Sequence, residues 1–490
     1  MPTLARMSAL FLGCWCLTAC LRQHEVAPIA DPAVPPADSA NTAALTPEAI
    51  SERAVKRRAV EAVVWGMPAV NFERMRDATH KLGGKDNEIV FWSRPSGWKN
   101  QTLTPNPDTI YLIPFFNTTD AGPVVLEIPP AQGGSITGSV DDAWQTAIED
   151  VGPAGVDKGK GGKYLILPPG FKGPIPRGYI AMPSATFGTY ALLRSNLASG
   201  SEADVAKSVA YAKRIKVYPL SQAANPPQTR FVDAIDSVFD GTIPYDASFY
   251  ELLDRVVQRE PWLDRDRVMI DPLRTIGIEK GKPFQPDAQA RKRLDVAARE
   301  AHAWIDSRYE SGHFPAPYID GSRWTLPAPA DLMKEIQSAY ADPAQYPVDA
   351  RGVTYSYAFF SAKHLGTGQF YLFNQKSADG EPLKGSGHYR LHVPANVPVR
   401  LYWSVTAYDR ATHALIRDMP WASRSSLTPG LQKNADGSVD VYFGPKAPAG
   451  RDSNWVPTDP KGRFELIFRF YGPEAPVFDK SWKLPDVERA

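Results

Sequence analysis

The chain has 490 residues, 43% of them hydrophobic, enough to bury a large core and to divide into two or three structural units. Its 55 Lys and Arg stand against 54 Asp and Glu, a formal charge of +1, so the basic excess that marks a nucleic-acid partner is absent and no such partner is expected. All three cysteines, Cys14, Cys16 and Cys20, belong to the N-terminal leader or end it, which excludes disulfides, cysteine metal sites and a cysteine nucleophile from the rest of the chain.

The opening MPTLARMSALFLGCWCLTAC places Arg6 ahead of an apolar run from Ala9 to Leu17. That run is too short to span a bilayer as a mature helix and suits a secretory signal. Its ending LTAC resembles the lipobox of bacterial lipoproteins. The resemblance implies a signal peptide over residues 1–19, cleavage before Cys20 and a lipid on that cysteine; a plain signal peptide cut nearby is the alternative. Leu21 rather than an aspartate follows, which implies an outer-membrane lipoprotein facing the periplasm. Residues 20–46 are rich in Ala and Pro and read as a flexible tether between membrane and fold.

The first helix is expected near TPEAISERAVKRRAVEAVVWGMP, with Thr46 as cap and Pro47 in the first turn. It should stop near Gly66-Met67-Pro68 or continue after a kink. NEIVFWSRP, TIYLIPFF, GPVVLEIPP, GGSITGSV and GGKYLILPPG read as short strands bounded by Gly and Pro. DDAWQTAIEDVG fits a strand or a short helix. Residues 187–197 are apolar enough to be buried, with Arg194 as the exception. These segments make a β-rich domain over 47–199. Residues 200–345 read as a mainly helical bridge or cover, from SEADVAKSVAYAKRIKVYPLSQA, helical until Pro219, to PDAQARKRLDVAAREAHAWIDSRYE. Over 346–490 strands return, from TYSYAFFSAKH to RFELIFRFYGP, with alternation clearest in RLYWSVTAY. The expected fold is multidomain α+β: two β-rich domains joined by a mainly helical region.

Both β-rich blocks resemble a known bacterial pair of domains of unknown function. VWGMPAVNFERMR, TPNPDTIYLIPFFN, GPVVLEIPP and GGKYLILPPGFKGPIPRGY resemble DUF1254. RLYWSVTAYDRATHALI, TPGLQKNADGSVDVYFGPKAP, SNWVPTDPKGRFELIFRFYGP and FDKSWKLPDV resemble DUF1214. The resemblance spans roughly residues 45 to 487. It implies two β-rich domains assembled into a homo-oligomer, and no single reaction. Many relatives carry a second asparagine where this chain has Pro107, so a ligand contact at that position does not carry over. Asn106, Asp108, Thr109 and Tyr111 remain.

Asn106, Asp108 and Thr109 suit turn hydrogen bonds ahead of a strand. They equally suit a cleft in which Asn106 orients an oxygen, Asp108 accepts a proton and Tyr111 forms a wall. Trp65, Met67, Phe72, Trp92 and Trp98 are core residues or pocket walls. Arg94 and Lys99 attract an acidic ligand or solvate the surface. Asp141, Asp142, Glu149 and Asp150 offer paired carboxylates. His413 lies near Asp409 and Arg410, where a His–Asp relay is one reading. His388 and His392, about 13 Å apart on a straight strand, cannot share one zinc. There is no HExxH run, GxSxG elbow, phosphate loop or dinucleotide fingerprint, so no metal or cofactor is expected. GKGGK at 159–163 and the Asp436-Gly437 pair read as turns.

The leading expectation is a periplasm-facing lipoprotein that binds a small or amphipathic ligand. Its ligand-binding candidates are Asn106, Asp108, Thr109, Tyr111, Trp92 and Arg94, with Cys20 as lipid anchor. The rivals are a hydrolase-like enzyme using Asp108 or His413, and an envelope assembly protein without a small substrate.

Overall fold

A computed structural model describes residues 45–311, 316–359, 362–364 and 368–490. Cys20, the signal segment and the tether up to residue 44 lie outside them. The helix Pro47–Lys81 opens where Thr46 Oγ1 accepts a hydrogen bond from Ala49 N at 3.2 Å. It does not stop at Gly66-Met67-Pro68; Pro68 stands inside it and the helix continues for another 13 residues. Residues 62–73 are buried without interruption, so tertiary packing outweighs the break that proline invites.

Two sheets form the first β-rich unit. One runs in the order Phe231–Asp233, Ile89–Phe91, Ile110–Asn117, Gly188–Ser195, Ile136–Asp142, Ala147–Val151. The other runs Lys216–Pro219, Val124–Ile128, Gly162–Leu167, Tyr179–Pro183. Leu112, Ala191 and Leu193 of the first share a core with Leu126, Tyr164 and Ile166 of the second. DDAWQTAIEDVG resolves as two antiparallel strands around a turn at 143–146, not a helix. The expected division at 199/200 cuts through this unit, because strands at 216–219 and 231–233 return to both sheets. The helix there ends at Ala212, and Lys216-Val217-Tyr218-Pro219 pairs with the strand Val124–Ile128 rather than prolonging it.

The second β-rich unit also has two sheets. Gln369–Asn374, Phe464–Pro473, Val399–Asp409 and Ser423–Ser425 form one, wholly antiparallel. Trp455–Pro457, Val439–Gly444, Tyr389–Val393 and Glu488–Arg489 form the other. Leu391, Val441, Val405 and Phe468 belong to their common core. TYSYAFFSAKH, expected as a strand, begins inside the helix Val348–Tyr357. Its aromatic and β-branched residues suit a strand, yet all seven from Arg351 to Tyr357 are buried, and packing decides. Helices Ser248–Arg259, Ala288–Glu310 and Val348–Tyr357 join the long first helix in a further core. That core also takes Trp144 and Ala147 from the first unit and Tyr408, Leu415 and Ile467 from the second. Described helices and strands thus give a mixed α and β fold in which two β-rich units are separated along the chain by a helical region.

Candidate functional site

The segment from Thr104 to Asp108 lies where the two β-rich units meet. Asn106 sets its turn: its Oδ1 accepts from Asp108 N at 3.0 Å, an Asx-type bond that Pro107, lacking an N–H, could not make. Its Nδ2 donates to the hydroxyls of Tyr402 at 3.1 Å and Tyr471 at 2.7 Å, both in the second unit. Tyr408 donates to Pro105 O at 2.6 Å, and Arg469 donates to Thr104 O at 2.9 Å. Asn106 N donates to the hydroxyl of Tyr111 at 3.0 Å. The segment is a partition fixed from both sides.

Outside the partition is an open groove of about 600 Å³, lined by Trp98, Pro107, Asp108, Trp421, Ser423 and Arg424 among others. Asp108 does not close its own turn. Its Oδ2 accepts from Ser423 Oγ at 2.8 Å, across the junction. Burial raises its pKa above the ordinary carboxylate value, opposed by the Ser423 hydrogen bond and by the charges of Arg469 and Arg424. Arg424 lies 4.5 Å from the ring centre of Trp421 and donates to the carbonyls of Ser423 and Asp452 at 3.0 Å each. Burial pushes it down to about 10, with Asp108 pulling it back. The groove therefore combines a carboxyl, a hydroxyl and a guanidinium with two indoles, the mixture of fixed polar groups and apolar wall that holds amphipathic small molecules.

Inside the partition is an enclosed space with about 30 Å³ free, lined by Thr104, Pro105, Tyr111, Arg194, Tyr371 and Arg469 on its polar side. Leu103, Ile113, Leu192, Phe359 and Phe373 form its apolar walls.

The other candidates separate. Tyr111 lines the inner space and Asp108 the outer groove, so residues three positions apart face different compartments. Arg94 lines the groove rim, exposed and paired with Asp236 at 2.8 Å. Trp92 is corrected: it is 1% exposed, packs edge-on against Tyr111 and Phe239, and lines neither compartment. Thr109 is buried, with its Oγ1 3.5 Å from Ser195 O. The His413–Asp409 relay is also corrected. Asp409 Oδ1 accepts from the backbone of Ala411 and Thr412 at 2.9 Å and closes a turn, whereas His413 Nδ1 meets Glu465 Oε1 at 2.8 Å. Glu465 also accepts from Tyr309 at 2.9 Å, and His413 lines neither compartment. Among the acidic run, Asp142 accepts from Trp144 N and Thr146 N at 2.8 Å, and Asp150 from Ser139 Oγ at 2.7 Å. Asp142 fixes local backbone, whereas Asp150 also accepts from Lys363 N at 3.0 Å and His364 N at 2.7 Å, far along the chain. His392 pairs with Asp440 and His364 with Glu149. Among the described residues no group of three or more His, Cys, Asp or Glu is placed to hold a metal.

The family description DUF1254, a protein of unknown function, matches residues 87–219, and DUF1214, likewise of unknown function, matches 368–475. The chain is a DUF1254/DUF1214 domain-containing protein. The groove and the inner space lie between these domains: Asp108 and Arg194 come from DUF1254, Ser423, Arg424 and Arg469 from DUF1214. A crystal structure of a Vibrio parahaemolyticus protein is similar over 89% of this chain and 100% of its own, at 17% identity and a TM-score of 0.54, which shows a shared fold. An uncharacterised protein from Burkholderia cenocepacia aligns over 90% of this chain and 95% of its own, at 11% identity and a TM-score of 0.40. No curated protein matches.

Sequence reasoning missed Trp421, Ser423, Arg424 and Arg469. For Arg469 a signal existed: with Glu465 it is one of two charges in the otherwise apolar run ELIFRFYG, and every residue of Phe464–Pro473 is buried. Ser423 and Arg424 lie in an ordinary-looking turn-rich stretch, and only the fold brings them to Asp108.

Proposed function

We propose that the DUF1254/DUF1214 domain-containing chain is an envelope lipoprotein that holds a small or amphipathic ligand in the groove between its two domains. The observation that carries this reading is the meeting of Asp108, Ser423 and Arg424 beside Trp98 and Trp421 in one open groove of about 600 Å³. Indole faces bury an apolar body, while the carboxyl, hydroxyl and guanidinium orient its polar end. The lipobox-like LTAC supports a tether through Cys20 that holds the groove near a membrane, facing the periplasm, with homo-oligomeric assembly as the family resemblance implies.

The test is fluorescence titration of the detergent-extracted mature protein with N-phenyl-1-naphthylamine, a neutral amphipathic probe, alongside native mass spectrometry for lipid on Cys20. Trp421→Ala removes a half-buried wall and should weaken saturable probe binding about tenfold, roughly 1.4 kcal/mol, in a variant that still folds. Probe binding equal in wild type and a folded Trp421→Ala would exclude the groove as its site.

A further inference from the structure

The inner space poses a charge problem that the outer groove does not solve. Arg194, on the strand Gly188–Ser195, is 7% exposed, and Arg469, on the strand Phe464–Pro473, is 2% exposed. Both line the same enclosed space. Arg469 donates to Thr406 Oγ1 at 3.2 Å and Thr104 O at 2.9 Å, both neutral acceptors. Arg194 lies 5.3 Å from the ring centre of Tyr111. The Nε of each is buried without a hydrogen-bond partner among the described residues.

No carboxylate of the described residues lies within 4.0 Å of either guanidinium. Other buried arginines are treated differently. Arg410 pairs with Asp306 at 3.2 Å and Glu310 at 3.1 Å, and Arg259 pairs with Glu73 at 2.7 Å. Arg351 feels the charge of Asp266 beyond Tyr346, whose hydroxyl donates to Asp266 at 2.6 Å. Around Arg194 the polar neighbours are Tyr111, Tyr371 and Tyr471, and Arg469 adds Tyr408 to these. Burial drives the pKa of Tyr471 well above its ordinary value, so its hydroxyl stays neutral and contributes hydrogen bonds but no charge. Asp108, held by Ser423, feels the charge of Arg469 but is shared with Arg424.

A buried ion without a counter-ion costs several kcal/mol, and two guanidiniums around one space double the demand. A bound anion offsets part of it. The guanidinium fork favours a planar oxyanion, and the tyrosine hydroxyls can donate to its remaining lone pairs. The free volume of about 30 Å³ and the apolar walls of Ile113, Leu192 and Phe359 favour one small charged head with an apolar side over a phosphate.

We propose that the space enclosed behind the Thr104–Asp108 segment is a binding site for a small carboxylate, held between Arg194 of the DUF1254 domain and Arg469 of the DUF1214 domain. This site is separate from the groove, and either can fail without the other. The anion bridges the two domains and offsets one of the two buried positive charges at their interface.

The experiment is thermal melting of the mature protein, dialysed into chloride, with sodium acetate or sodium phosphate replacing chloride at constant pH and ionic strength. Acetate should raise Tm with the logarithm of its concentration, by about 3 °C once it stands a hundredfold above its dissociation constant. Arg194→Gln should abolish that rise, and Arg194→Lys should keep part of it. If Arg194→Gln does not fold, Tyr371→Phe, which removes one hydroxyl from the same wall, should reduce the rise. No acetate-specific rise in wild type overturns the proposal. So does an equal rise in the folded variants, or a rise with phosphate that acetate does not give.

Discussion

Asp108 and Asn106 sit two residues apart and divide the labour that a reader of TPNPDTIY would give to either. Asn106 holds the turn and reaches the tyrosines of the other domain; Asp108 reaches Ser423 and faces the groove. Burial raises Asp108 above its ordinary value of 3.8, which has a signed consequence. Between that value and the raised one, the native chain binds more protons than the unfolded chain, so Asp108 makes the protein less stable as pH rises through the window. Above the raised value the cost is constant. Asp108→Asn keeps an acceptor for Ser423 and removes the titration. Urea denaturation from pH 4 to 8 should show the variant gaining on wild type as pH rises and then holding its advantage. A difference independent of pH would mean that Asp108 is ionised in the fold as readily as in the unfolded chain.

Among the elements, the helix Val348–Tyr357 departs most from sequence expectation, and it also carries a close contact. A Cβ on Gly352 would stand 2.6 Å from Val64 O and 2.8 Å from Val64 Cγ1 of the helix Pro47–Lys81. The absence of a side chain lets the two helices approach, and the approach leads the chain on to Phe359 at the wall of the inner space. Gly352→Ala should cost about 1–3 kcal/mol through overpacking, although alanine is the better helix former. Gly97→Ala is the control, because a Cβ there meets nothing within 4 Å. Urea denaturation should separate the two variants. A neutral Gly352→Ala would show that the helices can part without loss.

Across the whole molecule the two domains share both hydrogen bonds and apolar core. Asn106, Pro105 and Thr104 are bonded to Tyr402, Tyr471, Tyr408 and Arg469, and one core contains Trp144, Tyr408 and Ile467 together. The mature protein should therefore unfold in a single transition, with calorimetric and van't Hoff enthalpies equal within error. Two resolved transitions would mean that each β-rich unit keeps its own stability and that the junction is a late contact. Either site proposed here needs both domains, so a single transition would couple ligand occupancy to the stability of the entire fold.

Local chemistry alone determined much of this protein. Alternating apolar strands in the last third, helical spacing in PDAQARKRLDVAAREAHAWIDSRYE and the motifs of both domains were legible because each depends on neighbours a few residues away. Arg194 already stood out as the one charge in an apolar strand, and Asn106, Asp108 and Tyr111 as a polar and aromatic group at a strand entrance. Tertiary structure decided the rest. Whether residues 354–357, which open TYSYAFFSAKH, became helix or strand depended on what their buried side chains met. Trp92 went to the core and His413 to Glu465 for the same reason. The partners of Asp108 and the facing of Arg194 and Arg469 involve residues hundreds of positions apart, and no periodicity or spacing records such pairs; only the packing of one domain on the other brings them together.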